Sequence, residues 1–298
     1  MPAAAARPIM TDPQLQQAAE RVIERAVRLI RDRHESGVVP THLHYHNSEH
    51  TLGVVARAQA IGVAMRMSER FLLLTTIAAA FHDSVQHWAP VEKGDEVVVR
   101  KRFTGRDEVA SGHEAVEAMV ELGVAFTPEE QGIVASAIVA TIPGWDAEVP
   151  TVSQPFLIEH PVISAVAMAD IGAAGMDPDM YRRDGPALFA EENLDLIGAV
   201  MSAERGGDID PATQDRYRDR YIAWLEIQPG FAAGRRFRLE NTELRAFAPD
   251  MRERVLALFS HFDESIAAAE AAVERARSLG FVPLMRQLDP RAFPGEPT

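Results

Sequence analysis

The stretch HLHYHNSEHTLGVVARAQAIGVAMRMSERFLLLTTIAAAFHD, residues 42–83, predicts both the fold and the candidate site. It opens with four of the chain's ten histidines within nine residues and closes on the pair His82-Asp83 after an apolar run. His46 and His50 are four residues apart, so they would share one face of a helix. His82 and Asp83 lie about 100° apart around a helix, so both can lean toward one point. We therefore expect a metal site between two helices.

The residue types in this stretch favour divalent metal chemistry. Neutral imidazole and ionised carboxylate are common ligands for metals of intermediate hardness. The chain has no cysteine, which excludes disulfides, thiolate metal sites and a cysteine nucleophile. The phosphate-loop pattern GxxxxGK[ST], the HExxH zinc pattern and the GxSxG nucleophile pattern are also missing. The histidines and carboxylates therefore point to a metal held by His, Asp or Glu.

Three sequence elements occur in a fixed order: YHNSEH at residues 45–50, FHD at residues 81–83, and Ala169-Asp170. This order resembles the H…HD…D pattern of HD-domain metal-dependent phosphohydrolases. The first element is similar to the YHNxxH form of cyclic nucleotide phosphodiesterases and of small bacterial HD proteins. FHDSV, followed by DEVAS at residues 107–111, looks more like the bacterial group. The resemblance covers roughly residues 42–175 and implies an all-α fold, an HD-domain helical core with additional C-terminal helices.

The resemblance also implies a set of metal ligands. These are His50, His82, Asp83 and Asp170. The ion would be Mn, Mg, Co, Ni, Zn or Fe, with one or two ions per site, and Asp83 would bridge a pair. The competing interpretation is that each acid caps a helix or pairs with an arginine. It applies best to Asp170, because a helix could end at the following Ile171-Gly172.

Further residues take candidate roles around these ligands. By resemblance His46, with Asp83, belongs to the catalytic set and protonates the leaving oxygen, and a substrate-contacting role for His46 stays open. Candidates for a second metal or for supporting positions are His87, His113 and Glu108. Candidates for contacts with a substrate phosphate are Arg100, Lys101, Arg102 and Ser111. Asn47 is interpreted as a helix cap, and His42 and His44 as surface residues.

The implied activity is hydrolysis of a phosphate mono- or diester, of a nucleotide, by a metal-activated water. Two alternatives stay open. One is an HD-type di-iron oxygenase, in which His87, His113 and His160 would supply extra ligands. The other is a non-catalytic regulatory module with a structural metal. Metal occupancy with an open coordination position would separate an enzyme from such a module.

Composition limits the partners. A net charge of −14 argues against long nucleic acids, whose phosphates favour basic surfaces, but not against a small phosphorylated substrate. No apolar run approaches the roughly 20 residues of a membrane span, so we expect no membrane partner and a cytoplasmic protein. A homo-oligomer is left open.

Helix signals divide the chain into four parts. We expect a flexible leader over residues 1–10, the helical core over 11–180, a helical extension packed on it over 181–282, and a Pro-rich tail over 283–298. Residues 84–106 are irregular and charged, with a short strand possible over 97–99, and favour a lid and a solvated excursion equally. Expected helix starts are Asp12-Pro13, Asn47 or Ser48, Ser68, Asp107, Thr127-Pro128, Pro161, Pro186 and Asp210-Pro211. We also expect a loop at Pro229-Gly230, one long helix over about 249–279, and no helix in the tail.

Overall fold

The computed structural model describes residues 10–37, 42–94, 96–146, 151–153, 160–202 and 209–288. Within these ranges the chain is built from helices with two small antiparallel hairpins, which confirms the all-α prediction. The helices are α1 (Pro13–Ile30), α2 (Ser48–Ala64), α3 (Glu69–Phe81), α4 (Arg106–Val120), α5 (Pro128–Val139), α6 (Pro161–Asp170), α7 (Ala173–Met176), α8 (Pro178–Glu192), α9 (Leu194–Ser202), α10 (Pro211–Asn241), α11 (Pro249–Leu258), α12 (Phe262–Ser278) and α13 (Phe281–Met285). The strands are β1 (Trp88–Glu92), β2 (Val98–Arg102), β3 (Gly144–Asp146) and β4 (Thr151–Ser153). Residues 1–9 of the expected leader and 289–298 of the expected tail lie outside the described ranges.

Local capping chemistry starts several helices where the sequence predicts. Asp12 accepts a hydrogen bond from the Gln14 backbone N–H at 2.8 Å, and Asn47 accepts one from the His50 N–H at 2.9 Å. Ser68 caps α3, and Thr127 forms a capping box at the start of α5. Each contact satisfies a backbone donor that the first helical turn would otherwise leave unpaired. Asn47 is therefore confirmed as a helix cap.

Helix α3 lies at the centre of the fold and carries the His82-Asp83 pair at its end. Leu73, Leu74 and Ile77 on this helix are completely buried. A helix that is apolar all round must be covered on every side, and α3 packs against α1, α2, α5 and α6. The start of α2, the end of α3 and the end of α6 are thereby brought together.

A π-helical turn at Arg31–Glu35 contacts the chain both before α2 and after α3. Arg33 and His34 both donate to the backbone carbonyl of Ser84, at 2.9 and 3.3 Å. The Leu43 N–H donates to the carbonyl of His34 at 2.9 Å. One turn thus holds the segment before α2 and the residue after the His82-Asp83 pair.

The segment at residues 84–106 is more ordered than predicted. Strands β1 and β2 form a hairpin in which Trp88 faces Arg102, and Val99 bridges to Asn193. The strand runs over Val98–Arg102 rather than over 97–99. Sequence inspection missed the hairpin because charged and apolar residues do not alternate regularly along it.

The predicted cap of α4 is wrong. Gly105, with φ of 88°, precedes the helix, and its N–H donates to the Glu108 carboxylate at 2.5 Å. Asp107 instead accepts from the backbone N–H of His87 at 3.1 Å. Its carboxylate is buried and engaged by the hairpin rather than by the helix end.

The C-terminal half contains further corrections. Pro229 and Gly230 lie inside α10, because packing of α10 along α12 outweighs the local cost of the missing backbone donor. The helix expected at Pro186 begins at Pro178 and includes Pro186. The helix expected over 249–279 is divided into α11 and α12, where the His261 N–H donates to the Gly175 carbonyl at 3.0 Å.

The expected absence of helix from residue 283 onward is also wrong for the described part. Pro283 lies in α13, in its first turn, where a backbone N–H has no helical acceptor to lose.

Two apolar clusters are linked by shared helices. The first contains the core of α1 to α6, and the second is centred on α9, α10 and α13. Helix α8 contributes Tyr181 to the first cluster and Phe189 to the second, and α12 contributes Ala269 and Val273 in the same way. Among the described residues no helix combines the length and apolar character needed to cross a membrane.

Candidate metal centre

Four predicted ligands converge at the meeting point of α2, α3 and α6. His50 Nε2 and His82 Nε2 lie 3.6 and 2.9 Å from Asp83 Oδ2. Asp170 Oδ1 lies 3.5 Å from each of the same two nitrogens. One ligand atom from each of His50, His82 and Asp83 falls within 4.8 Å of the others. Both histidines are buried, and the carboxylates are largely so.

The ring of His82 is held in the orientation that a metal ligand needs. Its Nδ1 lies 2.8 Å from the backbone carbonyl of Ala79. A carbonyl can only accept, so Nδ1 carries a proton and Nε2 is the nitrogen that faces the cluster. Ligating histidines in metalloproteins are commonly fixed by a hydrogen bond of this kind.

The imidazole nitrogens crowd the carboxylates without forming well-aligned hydrogen bonds. His50 Nε2 and His82 Nε2 lie 2.9–3.6 Å from carboxylate oxygens, yet neither nitrogen, nor His50 Nδ1, makes a hydrogen bond of normal geometry among the described residues. A buried polar atom without a partner costs free energy, typically about 1–3 kcal/mol. A divalent cation could bind the Nε2 atoms of His50 and His82 together with the nearby carboxylates. The residues present therefore fit a metal ion.

Electrostatics favours the ionised carboxylates that a metal requires. Burial raises the pKa of Asp83, but His82, His46 and His50 lower it more, and the pKa lies well below its usual range. Burial also opposes ionisation of Asp170, yet the close imidazoles of His50 and His82 bring its pKa well below normal. Burial lowers the pKa of His82, but the two neighbouring carboxylates raise it well above 6.5. The pocket attracts positive charge, either as a proton or as a cation.

Two side chains outside the ligand set position the carboxylates. Gln86 donates from Nε2 to Asp83 Oδ1 at 2.9 Å, which leaves Oδ2 facing the imidazoles. Arg57 is 4% exposed and donates from Nε to the carbonyl of Ala169 at 2.7 Å. This bond anchors the end of α6 next to Asp170.

His46 lies beside the ligands and forms a chain of contacts with Glu191 and Arg102. Its Nδ1 lies 2.5 Å from Glu191 Oε1, and Arg102 Nη1 contacts its Nε2. The backbone N–H groups of Tyr45 and His46 donate to Glu191 Oε2 at 2.9 and 3.1 Å. Burial raises the pKa of Glu191, but His46 and these hydrogen bonds lower it to about 2.

This contact chain assigns the protonation of the His46 ring. Glu191 as a carboxylate can only accept, and the Arg102 guanidinium can only donate. His46 therefore carries its proton on Nδ1 and presents a lone pair at Nε2.

The three basic residues expected to contact a phosphate differ from one another. Arg102 reaches His46 and also donates to Gln86 Oε1 at 3.5 Å. Arg100 is buried, stacks on Trp88 at 4.0 Å and donates to the Glu191 carbonyl at 2.9 Å. Lys101 is exposed. Arg102 thus reaches His46 and Gln86, whereas Arg100 bonds the backbone of α8 and Lys101 faces solvent.

The remaining predicted site residues take part in other contacts. Ser111 is buried and its hydroxyl accepts from the Val85 N–H at 3.1 Å. His87 is 68% exposed at its side chain and bonds Asp107, and Glu108 caps α4. His113 is exposed on α4, and His160 caps α6 by accepting from the Val162 N–H.

His42 and His44, interpreted as surface residues, are half-buried, and their rings meet edge to face at 4.9 Å.

Sequence reasoning missed Glu191, Arg57, Gln86 and His34. Arg57 carried a usable signal, because it lies seven residues after His50 on the apolar face of α2. Glu191 lies 145 residues from His46 and follows no pattern that distinguishes it from the adjacent Glu192. Only the packing of α8 against the core brings it to the site.

Comparison with protein-family models and with curated proteins finds no match for this chain. The geometry of the described residues therefore carries the functional argument.

Proposed function

We propose that this protein is a metal-dependent phosphohydrolase that cleaves a phosphate mono- or diester. The observation that carries the proposal is the convergence of two buried imidazole Nε2 atoms on the carboxylates of Asp83 and Asp170, at 2.9–3.6 Å and without well-aligned hydrogen bonds. The order of these residues underlies the resemblance to HD-domain phosphohydrolases, and that membership is part of the proposal. Nucleotide substrates and a homo-oligomeric state stay predictions.

His50, His82, Asp83 and Asp170 would hold the ion. A bound divalent ion would supply Lewis acidity that activates a water and polarises a phosphoryl oxygen. Gln86 keeps one oxygen of Asp83 directed at the imidazoles, and Arg57 fixes the end of α6. The protein thereby holds both carboxylates in place before any substrate arrives.

Arg102 and His46 supply the remaining chemistry. A substrate phosphoryl oxygen competes for the Arg102 N–H that now reaches His46 Nε2. Once Arg102 turns to the phosphate, His46 Nε2 takes up a proton from solvent. It gives that proton to the leaving alkoxide as the ester P–O bond breaks and the water oxygen forms the new P–O bond, while the proton of the attacking water returns to solvent. Glu191 holds the ring and stabilises its transient positive charge.

The oxygenase alternative has little support from the described contacts. It requires extra histidine ligands, and His87, His113 and His160 each lie in contacts outside the cluster or on the surface. A regulatory module with a structural metal predicts metal binding without turnover, so the experiment below distinguishes it.

The test is metal analysis of protein purified without chelator, combined with turnover of a panel of phosphate mono- and diesters. We expect His82→Ala to lose most bound metal and activity, because removal of one of the four proposed ligands lowers the affinity for the ion. His113→Ala, an exposed histidine on α4, is the matched control and should behave as wild type. Full metal occupancy in His82→Ala contradicts the site. Metal lost as expected, with no phosphoester turned over by wild type, contradicts the hydrolase and favours the module.

A further inference from the structure

A cavity of about 790 Å³ opens beside the candidate metal centre. Asp170 and Tyr45 line it, and the Tyr45 ring packs on His50 with 4.3 Å between ring centroids. The cavity and the metal centre therefore share one wall. Its volume falls within the range of about 300–1,000 Å³ typical of small-molecule sites.

Most of the remaining wall is apolar and comes from β3, α8 and α10. Its apolar residues include Trp145, Leu188, Trp224, Ile227, Phe231 and Phe237. Trp145 is 66% exposed, Ile227 55% and Phe237 50%, so large apolar side chains meet solvent on this surface. A contiguous patch of exposed apolar side chains is typical of a ligand-binding or interaction site.

Polar groups along the wall already bond one another. The Trp224 indole N–H donates to the Gly185 carbonyl at 2.8 Å, and the Tyr181 hydroxyl donates to the Gln228 carbonyl at 2.6 Å. The Gln228 amide donates to the Trp224 carbonyl at 3.3 Å. On the aromatic side of the cavity, a ligand hydroxyl group would therefore lose its hydrogen bonds with water and find these donors already engaged.

Charge on the wall disfavours a second anionic group on the ligand. Among the described residues that line the cavity there is no lysine or arginine, and two are acids, Asp170 and Asp184. Arg102 approaches the metal centre from the hairpin and is not part of this wall. A single phosphate can therefore be neutralised at the metal end, whereas a polyphosphate extending into the cavity would meet acids and aromatic rings.

We propose that the substrate is an amphiphilic phosphoester, with one phosphoryl group at the metal centre and an uncharged apolar group, aliphatic or aromatic, in this cavity. The inference rests on the proposed phosphohydrolase function. In such a substrate a hydrocarbon group lies next to the reacting ester, at the position that the sugar would take in a nucleotide.

Turnover gives the first test. The probes are 4-nitrophenyl phosphodiesters whose second ester group is methyl, butyl, octyl or naphthylmethyl, so that the leaving group stays constant. We expect kcat/KM to rise by roughly twofold to fourfold per methylene group until the cavity is filled. Thymidine 4-nitrophenyl phosphate, which carries a sugar in the same position, should be turned over less well than the octyl and naphthylmethyl esters.

A cation placed on the apolar wall gives the second test. Ile227→Arg and Phe237→Arg change exposed positions that tolerate a charge without disturbing the core. The octyl-to-methyl ratio of kcat/KM should fall by about tenfold or more, since the chain would lose part of its apolar contact. The matched control is Val120→Arg, at a 76% exposed valine on α4 outside the cavity wall, and its ratio should equal that of wild type.

Binding separates failure of this inference from failure of the proposed function. Calorimetry compares octylphosphonate with methylphosphonate on wild type and on Ile227→Arg, and needs no turnover. Tighter binding of octylphosphonate that Ile227→Arg weakens, without hydrolysis of any ester, upholds the apolar site and contradicts the hydrolase. Turnover with no dependence on chain length, or with a preference for the thymidine ester, overturns the amphiphile and leaves the hydrolase standing.

Discussion

At the scale of single residues, His46 and Glu191 form the proton-transfer pair of the proposed mechanism, next to the candidate metal centre. Glu191 is 1% exposed and accepts from the His46 ring and from two backbone N–H groups. A carboxylate with these contacts stabilises the fold and, in the proposed reaction, orients the His46 ring. It anchors the segment before α2, and it fixes which nitrogen of His46 is free for chemistry.

Glu191→Gln should therefore lower kcat by roughly tenfold to a hundredfold while metal content stays unchanged, because the ring keeps its place and loses the charge that supports its protonated form. Steady-state kinetics with metal measured in parallel checks this. Equal kcat for the variant and wild type would remove Glu191 from the proton transfer.

The same substitution predicts a pH dependence of stability. The pKa of Glu191 is lowered from 4.5 to about 2 in the folded protein. A depressed carboxyl pKa stabilises the fold above the unfolded value, and that stabilisation disappears as pH falls through the folded value. The free energy of unfolding of the wild type should thus exceed that of Glu191→Gln by on the order of 3 kcal/mol at pH 7. This difference should disappear as the pH falls from about 4.5 to 2.

Glu192→Gln is the matched control for this pH dependence. Burial raises the pKa of Glu192, so its charge opposes folding at neutral pH and neutralising it should not destabilise the protein. Denaturant unfolding of both variants at several pH values decides the matter. If the difference in unfolding free energy between wild type and Glu191→Gln does not depend on pH, the pKa of Glu191 is not lowered in the folded protein.

In the proposed mechanism Arg102 makes the contact with the substrate phosphate. Arg102→Met should raise KM for a phosphoester by roughly tenfold to a hundredfold, as a charge-assisted hydrogen bond is lost, with metal content unchanged. Lys101→Met, at the exposed neighbouring position, is the control and should leave KM as in wild type. Kinetics in which Lys101→Met has the larger effect would exclude Arg102 as the phosphate ligand.

At the scale of elements, capping chemistry made the helix starts predictable, and tertiary contacts made other boundaries unpredictable. Asp12, Asn47 and Thr127 act within a few residues of themselves, so the sequence shows their effect. The break between α11 and α12 depends on a hydrogen bond from His261 to Gly175, which no local pattern reports. The candidate ligands were predictable through a motif, whereas Glu191 depends on how α8 packs.

The end of α6 shows how closely an element must fit to hold its ligand. A Cβ atom on Gly172 would lie 2.6 Å from the carbonyl oxygen of Met168. Met168 and Gly172 are about one helical turn apart, and Asp170 lies between them. Gly172→Ala should destabilise the protein by about 1–3 kcal/mol and weaken metal binding, because the backbone must shift next to a ligand.

Gly132→Ala is the matched control for this substitution. Gly132 is exposed within α5, and a Cβ there would meet nothing within 4 Å. It should stabilise the helix by up to about 1 kcal/mol and leave metal affinity alone. Thermal unfolding and metal titration of the two variants make the comparison. Unchanged metal affinity in Gly172→Ala would show that Asp170 does not depend on the tight end of α6.

At the scale of the whole molecule, the residues beyond 180 are part of the site and not an appendage. Helix α8 supplies Glu191 to the metal centre, and its Phe189 belongs to the second apolar cluster. Helix α12 likewise contributes to both clusters. The boundary at 180/181, drawn from the sequence between the core and an extension packed on it, therefore coincides with no gap in the packing of the described residues.

A substitution in the second cluster should consequently be felt at the metal centre. Leu196 is completely buried in that cluster, so Leu196→Ala should cost about 2–5 kcal/mol through lost contacts and a residual cavity. Because α8 and α12 join the clusters, helix loss and metal release should occur in one transition, at a lower temperature than in wild type.

Val120→Ala, at a 76% exposed position, is the control and should shift stability by no more than about 0.5 kcal/mol. Circular dichroism and a metal-release dye followed in the same melt make the measurement. Two separate transitions, with metal retained after the first, would show instead that the C-terminal helices fold as a unit of their own.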